Sequence, residues 1–143
     1  MLDNKPNQNA DMTALVKKAL ATREEARNIA ELFCQKVDES PYNPDLIVFH
    51  GDFYDGLPNE HSIIEIALVF SDPDINWFDD GGKIIGLAWE IDTKYEIETR
   101  ILTCKDGFLS WEVSMLLERG EALRKSERGK AWMERRVFQV GIN

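Results

Sequence analysis

Two continuous apolar segments, LIVFH at residues 46–50 and IIEIALVF at residues 63–70, most constrain the fold of this chain. A strand with one face in water alternates apolar and polar residues, whereas an unbroken apolar run is typical of a strand buried on both faces. Both segments are therefore predicted to be strands with two buried faces. The residues between them include glycines and several acids, which indicates a loop.

Helical patterns flank these two strands. Residues 12–37 have helical periodicity, and Thr22 with Glu25 fits a capping box that would start a new helix. Residues 83–91 and 108–120 predict two more helices, and the alternation in residues 95–102 predicts a third strand. The order helix, strand, strand, helix, strand, helix predicts an α/β (α+β) domain, with helices packed on a small mixed β-sheet.

The length of 143 residues predicts a single domain with a sizeable core. The polar residues 1–11 are predicted to form a disordered tail. Residues 12–123 are predicted to form the folded domain, and residues 124–143 a helical C-terminal extension.

Composition excludes several classes of protein. The net charge of −9 argues against nucleic-acid binding, which depends on clustered Lys and Arg. No apolar run reaches the roughly 20 residues of a membrane span, and no signal-peptide pattern begins the chain. Cys34 and Cys104 lack metal-ligand spacing, so they are predicted to be reduced thiols in a cytoplasmic protein.

The loop between the two buried strands has the layout of a phosphate and metal site. Carboxylates at i and i+2 of a strand point to one face, where they can share a divalent cation that promotes phosphoryl or nucleotidyl transfer. Exposed backbone N–H groups in the preceding loop can hold phosphates, and glycines permit their close approach.

This layout resembles the DNA polymerase beta-like nucleotidyltransferases, particularly the minimal bacterial ones. In that family a strand is followed by G-S-x-x-x-G, five residues, and S-D-x-D on the next strand. Gly51 and Gly56 stand at the two glycine positions, Ser62 at the second serine, and Glu65 at the second aspartate.

Downstream segments extend the resemblance to about residues 23–123. IIGLAWEID resembles the second helix of the family, and YEIETRILT resembles its third strand, with Glu98 at the third carboxylate position. LLERGEAL resembles the closing helix-turn, I-x-x-x-G-x-x-L.

The resemblance implies transfer of a nucleoside monophosphate from a nucleoside triphosphate to a hydroxyl, with Mg²⁺ as the metal. It assigns Glu65 and Glu98 as catalytic and metal-binding residues. It assigns cofactor binding to Gly51, Asp52, Gly56 and Ser62.

The sequence also departs from the family motif. Asp52 replaces the first motif serine, and its carboxylate would repel a triphosphate. Ile63 replaces the first metal-binding aspartate, and Glu65 is one methylene longer than the second. Impaired or lost catalysis is therefore the expectation.

Other interpretations remain open. The fold can serve as a non-catalytic module that pairs with itself or with a helical HEPN-type partner, as in the toxin–antitoxin pairs of the family. Glu65 can form a structural ion pair with Arg100, and Glu96 and Glu98 can belong to a solvated sheet face. An unrelated α+β domain would be indicated if Gly51, Ser62, Glu65 and Glu98 did not converge.

Overall fold

The two apolar segments form adjacent antiparallel strands of a four-stranded sheet. The computed structural model describes residues 4–104 and 109–142, with side chains described for residues 12–104 and 109–135. The elements are α1 (Asn4–Asp38), β1 (Leu46–His50), α2 (Asp52–Asp55), β2 (Ile64–Ser71), α3 (Trp77–Trp89), β3 (Ile97–Cys104), α4 (Trp111–Glu118), β4 (Gly120–Lys125) and α5 (Glu127–Ile142).

The strand order is β3-β2-β1-β4. β1 is antiparallel to both β2 and β4, whereas β2 and β3 are parallel. The sheet is therefore mixed, and the predicted α+β class is confirmed. All five residues of β1 are buried, as the unbroken apolar run predicts.

Helices cover both faces of the sheet. On one face, Ala30 and Phe33 of α1 and Ile84 of α3 pack against alternate residues of β1 and β2. On the other face, Val113 of α4 and Trp132 of α5 pack against the intervening residues. Because successive side chains of a strand point to opposite faces, β1 and β2 contribute to two separate hydrophobic cores.

β4 is a strand that the sequence did not predict. Residues 120–125, GEALRK, lack an apolar run, and the resemblance assigned part of them to a closing helix-turn. Pairing with β1 forms this strand, and Arg124 holds it to α1 through Glu31 at 2.6 Å and Asp38 at 2.9 Å. The helix expected from residue 124 begins at Glu127.

The capping box predicted at Thr22 is wrong. The Thr22 hydroxyl donates to the Lys18 carbonyl at 2.8 Å, inside a helix that runs unbroken from Asn4 to Asp38. Because the helix continues through Thr22, the N–H groups of the next turn already bond to carbonyls of the preceding turn and need no side-chain cap. The same helix includes residues 4–11, where the sequence predicted disorder, and residues 1–3 lie outside the described part of the chain.

The other boundaries differ by a few residues. Asn76 caps α3 by accepting from the N–H groups of Phe78 and Asp79, so this helix begins six residues before the predicted start at Lys83. β3 runs two residues later than predicted. Within the described ranges, no helix has the length and apolar character needed to cross a bilayer. Cys34 and Cys104 are both buried and free.

Gly129 allows α5 to pack directly on the chain that enters β1. A Cβ atom there would overlap the Asp45 carbonyl oxygen, which the backbone holds in place. We expect Gly129→Ala to lower the free energy of unfolding by about 1–3 kcal/mol, because the added methyl forces α5 away from β1. Chemical denaturation measures this change.

Gly82→Ala is the matched control. A Cβ atom at Gly82 meets open space within α3, so this change should stabilise the protein by about 0.5–1 kcal/mol. Equal effects of the two substitutions would contradict the packing of α5 described above.

Candidate functional site

Three strands bring the predicted site residues to one end of the sheet. Glu65 at the start of β2 pairs with His50 at the end of β1 and with Glu98 near the start of β3. Paired residues on neighbouring strands project from the same face, so the three side chains form a row. That face is the one covered by α4 and α5, because Ala67 and Val69 of β2 belong to its core.

This register decides which glutamate of the third strand lies beside Glu65. Glu98 is the β3 residue beside Glu65, and Glu96 lies before β3, where its carbonyl accepts from the Ile64 N–H at 2.8 Å. The sequence could not distinguish Glu96 from Glu98, because the choice depends on how β3 is aligned with β2. Glu98 is exposed, so it is accessible to a ligand.

The two glycines of the loop bracket the short helix α2. Gly51 has φ 89° and Gly56 has φ 79°, a region that favours glycine strongly. A Cβ atom on Gly51 would also overlap the Glu65 carboxylate. Glycine at position 51 therefore lets the chain turn and lets the Glu65 side chain lie directly over the backbone.

Asp52 and Ser62 contact each other across the loop. The Ser62 hydroxyl donates to Asp52 Oδ2 at 2.9 Å and accepts from the Asn59 N–H, also at 2.9 Å. The backbone N–H of Asp52 faces the Glu65 carboxylate closely enough to lower its pKa. The loop thus brings Gly51, Asp52 and Ser62 to the start of β2, next to the two glutamates.

Negative charge is concentrated around Glu65. Partial burial raises the pKa of its carboxyl first, and the neighbouring carboxylates of Glu98 and Asp52 raise it further. Arg100 and the Asp52 N–H act in the opposite direction, and the net pKa remains raised. The predicted pairing of Glu65 with Arg100 is therefore present only as a partial electrostatic compensation, because Arg100 forms its ion pair with Glu112.

The carboxylates do not form a three-membered metal site. Among the side chains of residues 12–104 and 109–135, no group of three His, Cys, Asp or Glu residues is arranged to hold a metal ion. Ile63 lies half-buried just before β2 and supplies no oxygen ligand. Two carboxylates, Glu65 and Glu98, remain available for a shared cation.

Open clefts lie on both sides of the loop. The Ser62 cleft, of about 530 Å³, lies between the loop and the chain before β3. It is lined by Phe53, Asn59, Glu60, His61, Ser62, Ile63, Lys94, Tyr95 and Glu96. The His50 cleft, of about 350 Å³, lies between the sheet and α4. It is lined by His50, Gly51, Asp55, Glu65, Arg100, Met115, Leu116 and Arg119.

His50 is a site residue to which the sequence assigned no role. Its side chain is buried, and its Nε2 atom has no hydrogen-bond partner among the described residues. Burial, and then the positive charge of Arg100, lower its pKa to about 4, so the imidazole is neutral at pH 7. Its position at the end of an apolar strand, directly before Gly51, was the available signal. Arg119 had no comparable signal. It comes close to His50 because the next residue, Gly120, pairs with His50 in β4, and this strand was not predicted.

Comparison with known proteins does not establish a family. No family model matches the chain, and no curated protein matches its sequence. A solved structure from Sulfolobus solfataricus, provisionally described as a nucleotidyltransferase, shares 18% identity. The match covers 80% of this chain and 90% of that one, with a TM-score of 0.43. At these values it adds nothing to what the geometry of the site indicates.

The neutral state of His50 predicts a pH dependence of stability. The unfolded chain binds a proton at the ordinary histidine pKa near 6.5, whereas the folded chain resists it down to about 4. Stability should therefore fall as the pH drops from about 6.5 to 4, by up to about 3 kcal/mol, since each pKa unit corresponds to about 1.4 kcal/mol.

Denaturant titrations across this pH range measure the effect. His50→Gln should remove the fall in stability between pH 6.5 and 4 that His50 causes. His61→Gln makes the same chemical change at an exposed histidine and is the matched control. The same pH profile in the wild type and His50→Gln would show that His50 is not held neutral by burial.

Proposed function

We propose that this chain is a divergent nucleotidyltransferase-like protein that binds a nucleoside triphosphate at the loop of residues 51–62 and has impaired catalysis. The observation that carries this proposal is the convergence of Gly51, Ser62, Glu65 and Glu98 at one end of the sheet. The β1–β2 connection already brings Gly51, Ser62 and Glu65 together, so the informative part of this convergence is Glu98, which reaches Glu65 from a separate strand.

Glu65 and Glu98 fit a divalent cation held jointly with a ligand. The pKa of Glu65 is raised by burial first and then by the neighbouring negative charges of Glu98 and Asp52, and a bound cation would offset these charges. Mg²⁺ usually binds through one or two carboxylates together with substrate phosphates, so this pair suffices for one ion. When bound there, Mg²⁺ would neutralise phosphate charge and polarise the phosphorus under attack.

In the proposed reaction, a hydroxyl oxygen of the acceptor forms a bond to the α-phosphorus of the triphosphate. The bond from that phosphorus to the bridging oxygen breaks, pyrophosphate leaves, and the hydroxyl proton passes to solvent. Gly51 and Gly56 would let the loop approach the phosphates closely. Glu65 and Glu98 would orient the reacting groups through the cation.

Two residues explain the expected impairment. Ile63 supplies no carboxylate, so a second cation would lack a ligand. Asp52 adds negative charge where the phosphates would lie, and its hydrogen bond with Ser62 occupies the hydroxyl that could otherwise contact them. Both features weaken triphosphate binding and charge stabilisation during transfer.

Calorimetric titration with ATP and GTP, with and without Mg²⁺, tests this proposal. We expect weak binding that requires Mg²⁺ and is lost in Glu65→Gln. Asp52→Ser combined with Ile63→Asp should tighten binding about tenfold, which corresponds to about 1.4 kcal/mol, because a repulsion is removed and a ligand is added.

Glu24→Gln is the matched control, since it removes one carboxylate charge from the exposed surface of α1 and should leave binding unchanged. If neither the wild type nor the double variant bound a nucleotide in the presence of Mg²⁺, the nucleotidyltransferase proposal would be wrong.

A specific observation favours a second candidate, a non-catalytic interaction module. Met12, Leu15, Val16 and Leu20 form a stripe along α1, and each is more than half exposed. Trp77, Phe78 and Trp89 of α3 are also exposed. Exposed apolar stripes of this kind mark protein interaction surfaces, here for a second copy or a helical HEPN-type partner.

A toxin–antitoxin role and a cytoplasmic location stay predictions.

Sedimentation velocity tests self-association through α1. A charge at Leu15 would have to be desolvated in an apolar interface, so Leu15→Glu should weaken a dimer at least tenfold. Ala14→Glu places the same charge on the opposite, exposed side of α1 and should have little effect. A wild-type monomer at all concentrations would exclude self-pairing and leave the helical partner as the remaining version of this candidate.

A further inference from the structure

His50 is a buried polar residue whose hydrogen-bonding capacity is not satisfied within the described chain. It is 6% exposed, lines the His50 cleft, and has no partner at Nε2. An unsatisfied buried polar atom destabilises the folded state, so such atoms are rare in folded proteins. An unsatisfied atom beside a cleft points to a partner that arrives with a ligand.

Asp45 provides a direct comparison. It is also 6% exposed, but its carboxylate accepts from the Ser126 hydroxyl at 2.6 Å and from the Ser71 N–H at 3.1 Å. The Thr99 hydroxyl is also unpartnered, but Thr99 pairs with Ile66 and therefore lies on the opposite face of the sheet. Of these three residues, His50 is the one that lines the cleft beside Glu65.

The charges around the His50 cleft disfavour an anionic ligand. Its acidic groups are Asp55 and Glu65, and its basic groups are Arg100 and Arg119, but Arg100 is already paired with Glu112. The two carboxylates therefore outnumber the one remaining guanidinium, and they are suited to accept hydrogen bonds from hydroxyl groups. Arg119 forms no ion pair with the described residues and remains free to donate hydrogen bonds.

The remaining walls match the shape of a small polyol. Met115 and Leu116 supply apolar contacts suited to the C–H face of a sugar ring, while the carboxylates and Arg119 offer acceptors and donors for its hydroxyls. The volume of about 350 Å³ is within the range of about 300–1,000 Å³ found for small-molecule sites. The long side chains of Met115 and Arg119 can move to uncover the imidazole.

We propose that the His50 cleft binds an uncharged, polyhydroxylated small molecule of the pentose or cyclitol class, and that the His50 ring hydrogen-bonds to one of its hydroxyls. The ligand hydroxyls also donate to Glu65 and Asp55 and accept from Arg119. The inference rests on the proposed function in one respect, which is that a hydroxyl bound beside Glu65 is the acceptor of the nucleotidyl group.

The chain has only two histidines, which makes a direct test practical. Imidazole ¹⁵N NMR of histidine-labelled protein, without nucleotide or Mg²⁺, follows both rings during addition of D-ribose or myo-inositol. We expect saturable shifts of the His50 signals, with a Kd on the order of 1 mM. The exposed His61 is the internal control, and His61→Gln assigns the His50 signals.

Variants separate binding in this cleft from a general effect on folding. Arg119→Gln should weaken polyol binding about tenfold, the expected effect of losing one hydrogen-bonding cation worth about 1.4 kcal/mol. Arg128→Gln makes the same chemical change at the opposite end of β1, where Arg128 pairs with Asp74, and should not alter binding. His50→Phe should abolish binding measured by calorimetry, and His50→Gln should retain part of it.

Several results would overturn the inference. These are His50 signals that do not respond to either polyol, equal shifts of His50 and His61, or a His50 response to inorganic phosphate in place of the polyols. If the protein bound ATP in the presence of Mg²⁺ but bound neither polyol, this inference alone would be wrong. Polyol binding without any nucleotide binding would instead refute the proposed nucleotidyltransferase function.

Discussion

β1 lies between β2 and β4 with all of its residues buried, and the rest of the structure depends on this arrangement. A strand without access to water must pair its N–H and C=O groups on both edges, since an unpaired buried group costs free energy. Antiparallel pairing with β2 satisfies one edge, and antiparallel pairing with β4 satisfies the other. Its side chains must then be covered on both faces, by α1 and α3 on one and α4 and α5 on the other.

The same pairing creates the candidate site. Because β1 and β2 are antiparallel, the end of β1 meets the start of β2, and the parallel β3 adds its own start beside it. Gly51 carries the chain over the Glu65 carboxylate, and a side chain at this position would displace that group. The result is a partly buried glutamate whose pKa is raised by burial and by neighbouring acids, a state that a cation or a hydroxyl-bearing ligand would stabilise.

Backbone geometry and side-chain chemistry make separate contributions to this site. The backbone brings the loop and the two glutamates together, whereas Ile63 supplies no oxygen ligand and Asp52 adds negative charge beside Glu65. Scaffold and chemistry are separable, because the scaffold depends on strand burial and glycine conformations, whereas the chemistry depends on a few side chains. His50 and Arg119 also contribute polar groups to the site, although neither is part of the glycine, serine and glutamate motif seen in the sequence.

The sequence by itself determined β1, β2 and the glycine-bracketed loop. Unbroken apolar runs and glycine spacing are local signals that require no knowledge of neighbours. Only the tertiary structure decided that Gly120–Lys125 forms a strand and that Glu98 rather than Glu96 lies beside Glu65. It also decided that the buried His50 Nε2 has no hydrogen-bond partner in the part of the chain that is described. These features depend on pairing and packing between distant segments. A β4 held by the edge of β1 and by Arg124 needs no apolar pattern of its own, so its sequence carries no local signal.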